Sequence, residues 1–320
     1  MSAPHSAGHL ALVGTTASGK SAVALSLARE LGDVEIVSVD SMQVYRGMDI
    51  GTAKPSPEER TRVPHHLIDV ADPDEDFTVA RFQAAAAQAI AGVESRGRRA
   101  LLVGGTGLYL RAVVDELHVP GQWPELRAAL EAEVDRGGPE ALADLHTRLR
   151  ALDPLAASRM LPTNRRRVLR ALEVTLGSGR PFSGFGPGLD AYPRTRYRMA
   201  GISLPSEVVA RRIQARYQEQ LEAGFVDEVR ALCTRPRGLS RTARQALGYR
   251  ELLAHVEEGV PLQDAVDRAV SRTRRFARRQ RVWFRRDPRI SWYAPEGGEP
   301  NPLAVVPALL GDWERCRSSA

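Results

Sequence analysis

The stretch Gly14-Thr15-Thr16-Ala17-Ser18-Gly19-Lys20-Ser21 follows the apolar run Leu10–Val13 and opens a helix-patterned segment, Ser21–Leu31. Glycines at the two ends of such a loop let backbone N–H groups curl around an oxyanion. The helix behind it turns its positive end toward the bound phosphates. In this pattern Lys20 reaches the outer phosphate oxygens, and the Ser21 hydroxyl suits a Mg²⁺ position. Residues 14–21 are therefore expected to hold a phosphate group, whose identity the loop alone does not specify.

Two other turns carry residues capable of chemistry. Asp40 ends a second apolar run, Val34–Val39, and Gly104-Gly105-Thr106-Gly107 ends a third, Leu101–Val103. If the three runs are parallel strands, all three turns lie on one rim. Asp40 there suits either Mg²⁺ ligation through water or proton abstraction from an acceptor, and the residues leave both roles open. Thr106 is the one polar side chain in a turn whose glycines let the backbone pass close to a ligand. A tight strand-to-helix connection would look the same. His65 and His66 are adjacent and cannot both face one metal from a regular element, so a loop role is expected for them.

The elements that must position these residues follow from periodicity. Strand runs alternate with helical stretches, among them the Ala-rich Phe77–Val93, which implies a parallel sheet with helices on both faces. The expected fold is α/β, a P-loop NTPase-like parallel sheet flanked by helices, with a small all-helical insertion and a helical C-terminal part. Residues 8–118 form the first part of the core. Pro120, Gly121 and Pro124 then break the chain, and the polar helical segments Glu125–Arg136 and Glu140–Leu152 define an insertion over residues 119–162. The core resumes over 163–294, with a returning strand at Arg198–Leu204 after the Gly/Pro-rich loop Gly177–Pro193. A loosely packed or disordered tail is expected over 295–320. Ser206 is the expected N-cap of a helix carrying Val209, Ile213, Tyr217 and Leu221 on its packed side.

Lys and Arg together number 45 against 39 Asp and Glu, a formal net charge of +6 over 320 residues. Lysine occurs only at Lys20 and Lys54, so the positive charge is almost all arginine. It falls in rows four residues apart, Arg212 with Arg216 and Arg166 with Arg170. The most basic helix is Asp264–Arg286, whose packed face is expected to be Val266, Ala269, Val270, Thr273, Phe276, Ala277 and Trp283. Faces of this kind suit phosphate backbones, as would a merely solvated arginine surface. Two cysteines, Cys233 and Cys316, exclude a disulfide framework. No apolar run approaches membrane-spanning length, and Met1–His9 lacks the layout of a secretory signal, so a cytoplasmic protein with no membrane partner is expected.

Taken together, these segments resemble the bacterial-type tRNA dimethylallyltransferase (tRNA isopentenyltransferase, IPP transferase) family. The resemblance rests on G-T-T-A-S-G-K-S at Gly14, S-V-D-S-M-Q-V-Y-R-G-M-D-I-G-T-A-K-P from Ser38, and H-H-L-I-D-V from His65. It continues through L-V-G-G-T-G-L-Y from Leu102, R-A-L-E-V from Arg170, Q-A-L-G-Y-R from Gln245 and R-R-Q-R-V-W-F-R from Arg278, in family order. It implies that residues 14–21 hold the pyrophosphate of dimethylallyl diphosphate, with Mg²⁺ as cofactor at Ser21. The dimethylallyl group would pass to N6 of the adenine at tRNA position 37, immediately 3′ of the anticodon, in tRNA reading codons that begin with U. By the same resemblance Asp40 is the general base, Thr106 contacts the substrate and Arg216 helps hold the diphosphate. The implied tRNA contacts are Asp40, Ser41, Met42, Gln43, Thr106, Arg127, Arg166, Arg167, Arg170 and Gln245. They would meet the anticodon stem-loop, with the insertion as the arm-binding part, and a monomer is expected.

The chain departs from the family's usual residues at Thr15, where many members have proline, and at Ser21, where many have threonine. Pro162-Thr163-Asn164 stands where P-N-D is usual. Three rival readings remain: a small-molecule kinase or ATPase, an RNA-binding module with a vestigial loop, and a prenyltransferase for free adenine nucleotides. The helical insertion and the arginine helix argue against the last, because a small acceptor needs neither.

Overall fold

Leu10, Leu12, Val13, Leu101 and Leu102 are each at most 1% exposed, because the runs that contain them form the middle of a sheet covered on both faces. The computed structural model describes residues 8–295 and 301–314. In chain order the first elements are β1 (His9–Gly14), α1 (Lys20–Leu31), β2 (Val34–Val39), α2 (Pro57–Arg62), β3 (His65–His66), α3 (Val79–Ser95), β4 (Arg99–Gly104) and α4 (Gly107–Val114). Then come α5 (Pro124–Leu152), α6 (Pro154–Ser158) and α7 (Arg165–Ser178). The chain continues through β5 (Tyr197–Ile202), α8 (Ser206–Glu222), α9 (Phe225–Cys233), α10 (Arg241–Arg244), α11 (Tyr249–Glu258), α12 (Leu262–Arg285), β6 (Ile290–Tyr293) and α13 (Val306–Glu314).

The strands lie in the order β3-β2-β4-β1-β5-β6, and every pairing is parallel. The expected α/β sheet flanked by helices is the observed one. Because all strands run the same way, the turns after β1, β2 and β4 fall on a single rim. Gly104 stands in register with Val13 on one side and Val39 on the other. A Cβ there would collide with the Val39 carbonyl. That absence of a side chain lets the turn after β4 come close to the turn after β2.

Residues 117–193 form a separate compact unit. Its core joins Leu130, Val134, Leu145 and Leu149 of α5 to Val168, Leu169 and Leu172 of α7. The expected insertion, 119–162, is therefore too short: α7 and the loop after it belong with α5, and the sheet-bearing unit resumes at Arg194 rather than at 163. The cause is the apolar face of α7, which finds its partner on α5. The break expected between Arg136 and Glu140 lies at Gly138, with φ 60°, followed by Pro139. Asn164 caps α7 by accepting from the Arg167 N–H, so the Pro-Thr-Asn variation leaves the cap intact.

Other expectations need correction. His65 and His66 form a strand rather than a loop: His65 pairs with Ile36, and His66 bonds Glu35 at 2.7 Å through Nε2. Ser206 is not the cap of α8; that position is Pro205, and the Ser206 hydroxyl accepts from Arg281 at 2.5 Å. On α12, Phe276 and Trp283 are half-buried, whereas Gln280 and Phe284 are buried. The strand β6 was not expected. Residues 301–314 are not a loose tail, since Val305, Val306, Leu309 and Trp313 join the main core. The rest of that expectation, with Cys316, lies outside the described residues. Among the described residues no helix is long and apolar enough to cross a membrane.

Leu309 is fully buried and Leu303 is 43% exposed. Leu309→Ala is expected to cost about 2–5 kcal/mol in chemical denaturation, through lost transfer free energy and a cavity. Leu303→Ala should stay within about 0.5 kcal/mol. Equal, small effects at both positions would mean that the last helix is not docked.

Candidate active site

The loop between β1 and α1 bends through two left-handed residues, Ala17 with φ 60° and Gly19 with φ 83°. Lys20 folds back so that Nζ donates to the Thr15 carbonyl at 3.4 Å. Burial lowers its pKa to about 8, with Asp40 pulling it up and Arg216 pushing it down. Lys20, Asp40 and Arg216, from distant parts of the chain, thus lie near enough for their charges to act on one another. The Ser18 hydroxyl is buried without a hydrogen-bond partner among the described residues, and Ser21 is exposed in the first turn of α1.

Asp40 sits in the turn after β2, where its Oδ1 accepts from the Met42 N–H at 2.8 Å and the Gln43 N–H at 3.4 Å. Oδ2 takes no hydrogen bond among the described residues, so one carboxylate oxygen is oriented by the backbone and the other is left for a ligand. Thr106, at the start of α4, accepts from the Ser41 N–H at 3.3 Å. Its own hydroxyl proton can therefore turn toward a ligand. The base candidate and the threonine are held together by this contact.

Arg216 comes from α8. Its guanidinium donates to the Thr16 hydroxyl at 3.3 Å and to the Gly51 carbonyl at 3.3 Å. The loop that presents Gly51 is itself fixed: the Glu228 carboxylate accepts from the N–H groups of Asp49, Ile50 and Gly51 and from the Tyr249 hydroxyl. Gln220 donates to the Ile50 carbonyl at 2.6 Å. Arg216 is thus aimed at the phosphate loop by a braced segment.

The second lysine has another task. The Lys54 ammonium donates to the Tyr45 carbonyl, Asp49 and Asp69 at 2.5 to 2.6 Å, and its side chain is 2% exposed. Three donors radiating from one compact nitrogen fit three converging oxygens; a planar guanidinium does not.

The proposed RNA contacts fall into two groups. Arg166 and Arg167 are exposed on α7, and Gln245 is exposed just after α10. Arg170 instead fastens its own unit, donating to Glu173 at 2.7 Å and to the carbonyls of Pro120 and Gly121 at 2.9 Å. Arg127 pairs with Glu131 at 2.8 Å. The Gln43 side chain is also engaged, accepting from the Ser38 hydroxyl and donating to the carbonyls of Thr52 and Ala53. Ser41 and Met42 are half-buried beside Asp40.

Sequence reasoning missed Gln280 of α12. It is 6% exposed, accepts from the Thr16 N–H at 2.8 Å and donates to the Gly105 carbonyl at 2.8 Å. The signal was present: Thr273, Ala277, Gln280 and Phe284 follow helical spacing along the buried face. Among the described residues no cluster of three His, Cys, Asp or Glu side chains could cage a metal. A Mg²⁺ ion that keeps its waters and takes substrate phosphate oxygens would need only a ligand such as the exposed Ser21 hydroxyl, so the residues fit that ion.

Two family models match the chain, IPP transferase over residues 43–287 and isopentenyl transferase over residues 8–72. A tRNA dimethylallyltransferase of Kineococcus radiotolerans is 49% identical over 92% of this chain and 93% of its own. The crystal structure of the full-length tRNA isopentenylpyrophosphate transferase of Bacillus halodurans superposes with a TM-score of 0.68 at 37% identity, covering 98% of both chains. A structure of a eukaryotic dimethylallyltransferase acting on tRNA gives a TM-score of 0.73 at 26% identity, over 89% of this chain and 73% of that one.

The position of Lys20 sets a pH dependence. With its pKa at about 8 it is charged below that value and neutral above it. A diphosphate monoester, already fully ionised above neutral pH, should bind progressively more weakly as pH rises through this range. Its association should also take up a proton, read by titration calorimetry in buffers of different ionisation enthalpy. In Lys20→Ala both effects should vanish; their persistence would assign them to another group.

Proposed function

The chain belongs to the IPP transferase family and is a prenyltransferase acting on an adenine of tRNA, and we propose that its donor is dimethylallyl diphosphate and its acceptor N6 of the adenine at position 37, in tRNA reading codons that begin with U. The observation that carries the residue assignment is the convergence of Lys20, Asp40, Thr106 and Arg216 on the rim of one sheet.

Each group has a task in this reaction. N6 is a weak nucleophile because its lone pair is delocalised into the ring. As it bonds to C1 of the dimethylallyl group, the C1–O bond breaks and diphosphate leaves with the electron pair. The N6 proton passes to the open oxygen of Asp40, whose other oxygen is tied to the Met42 N–H. The loop amides, Lys20 and Arg216 neutralise the charge growing on the leaving group. Mg²⁺, held at Ser21 when bound, would add to that neutralisation. Thr106 orients the acceptor from its place beside Ser41. To reach this rim the base must leave its stack, as bases do for enzymes of this kind. Arg166, Arg167 and Gln245 are left to hold the RNA, while Arg127 and Arg170 chiefly shape the helical unit that presents α7.

Incubation of unmodified tRNA with dimethylallyl diphosphate and Mg²⁺, followed by nucleoside mass spectrometry, should show N6-dimethylallyladenosine; hydrolysis of ATP with no change in the tRNA would overturn the assignment. Asp40→Ala should lose roughly 10²- to 10⁴-fold in turnover, the usual size of a general-base contribution. Its tRNA affinity in filter binding should stay near that of the unsubstituted protein. A variant that turned over normally would remove Asp40 from the role of base.

A further inference from the structure

Gln280 joins two loops that the reaction must keep in register. Its amide is buried, its oxygen accepts from the Thr16 N–H and its nitrogen donates to the Gly105 carbonyl, each at 2.8 Å. We propose that Gln280 is a positioning residue, a tether that sets the separation between the diphosphate loop and the turn carrying the acceptor-side groups. The proposal rests on the transferase reading above and deepens it.

Both ends of the tether are backbone groups, so it acts on main-chain position. Thr16 is held a second time through its hydroxyl by Arg216. Its N–H is taken by Gln280, so this residue contributes geometry rather than an amide for the phosphates. At the other end Gly105 precedes Thr106, which accepts from the Ser41 N–H next to Asp40. A continuous path thus runs from the loop that grips the leaving group to the residues facing the amine. Gly105 is part of the fit, since a Cβ there would collide with the Gln280 amide nitrogen. Only a side chain with a donor and an acceptor at fixed spacing closes both bonds, which leaves an uncharged amide as the natural choice. Losing a positioning contact of this kind leaves ground-state binding largely intact but moves reacting atoms apart, and about 1 Å is worth about 10²-fold in rate.

The test uses three variants of the full chain. Gln280→Leu removes both bonds and is expected to lower kcat by about tenfold to a hundredfold, while the affinities for tRNA and for a diphosphate monoester stay within about threefold. Gln280→Glu keeps the shape; its protonated carboxyl can accept from Thr16 and donate to Gly105, whereas the ionised form cannot donate. Burial raises the pKa of such a carboxyl. Relative to the unsubstituted enzyme, kcat of Gln280→Glu should therefore fall as pH rises, while that of Gln280→Leu shows no such trend. Gly105→Ala, which displaces the amide without removing it, should reproduce the kcat loss and covers the case in which a Gln280 variant fails to fold. The tether is wrong if Gln280→Leu or Gly105→Ala, folded, turns over normally. It is equally wrong if the loss resides wholly in diphosphate affinity, or if the Glu and Leu variants share one pH profile. The unsubstituted enzyme run alongside separates the two levels. Failure of that enzyme to prenylate tRNA removes the transferase reading itself; normal product from it beside an indifferent Gln280→Leu removes only the tether.

Discussion

Parallel hydrogen bonding between β1, β2 and β4 makes the rest of the site possible, because it forces three successive strand ends to the same edge. Val13, Gly104 and Val39 stand level across the sheet. The residues that follow them, in the phosphate loop, at Asp40 and at Thr106, inherit that alignment without further contacts. What remains is adjustment over a few ångströms, and it is made by side chains that arrive from later helices, Arg216 from α8 and Gln280 from α12. The sheet supplies coarse placement and the helices supply fine placement.

The charged groups divide along the same line. Lys20, the proposed phosphate ligand, has no carboxylate bonded to its ammonium among the described residues, and its depressed pKa records the cost of desolvation. Positive charge that holds the scaffold is enclosed and paired. Arg111 bonds Asp115, and Arg289 bonds both Asp115 and Asp287, in a largely buried cluster. Lys54 is treated in the same way. Removing one member of such a cluster leaves an uncompensated buried charge, so these residues are as constrained as the reactive ones although they touch no substrate.

The placement of residues 14–21, Asp40 and Thr106 at strand ends was legible in the sequence because each is a local pattern at the end of an apolar run. The parallel sheet was legible for the same reason: strands with two covered faces have to be continuously apolar. What could not be read was tertiary. Periodicity showed Arg216 only as one of a pair with Arg212; the resemblance singled it out, and nothing local said that it would reach Thr16. Gln280 was hidden among arginines on a helix whose charge drew attention to its outer face. The boundary of the helical unit was misplaced because the apolar stripe of α7 announces burial without naming its partner. The last helix was read as loose because its short apolar run follows a stretch rich in glycine and proline, and its partner, α1, lies almost 300 residues earlier.

That distance has a consequence for biosynthesis. The neighbour that closes the free side of β1 is β5, which begins at Tyr197, and the cover over α1 is completed only by residues near 310. While the chain emerges from the ribosome, residues 14–21 are therefore made long before the segments that enclose β1 and α1. A long nascent intermediate carries an apolar strand with one open edge, the kind of surface that pairs with other chains or with a chaperone. Pairings this remote in sequence also slow folding. The order of the strands ties completion of the rim to synthesis of β5 and α13 rather than to appearance of the motif itself.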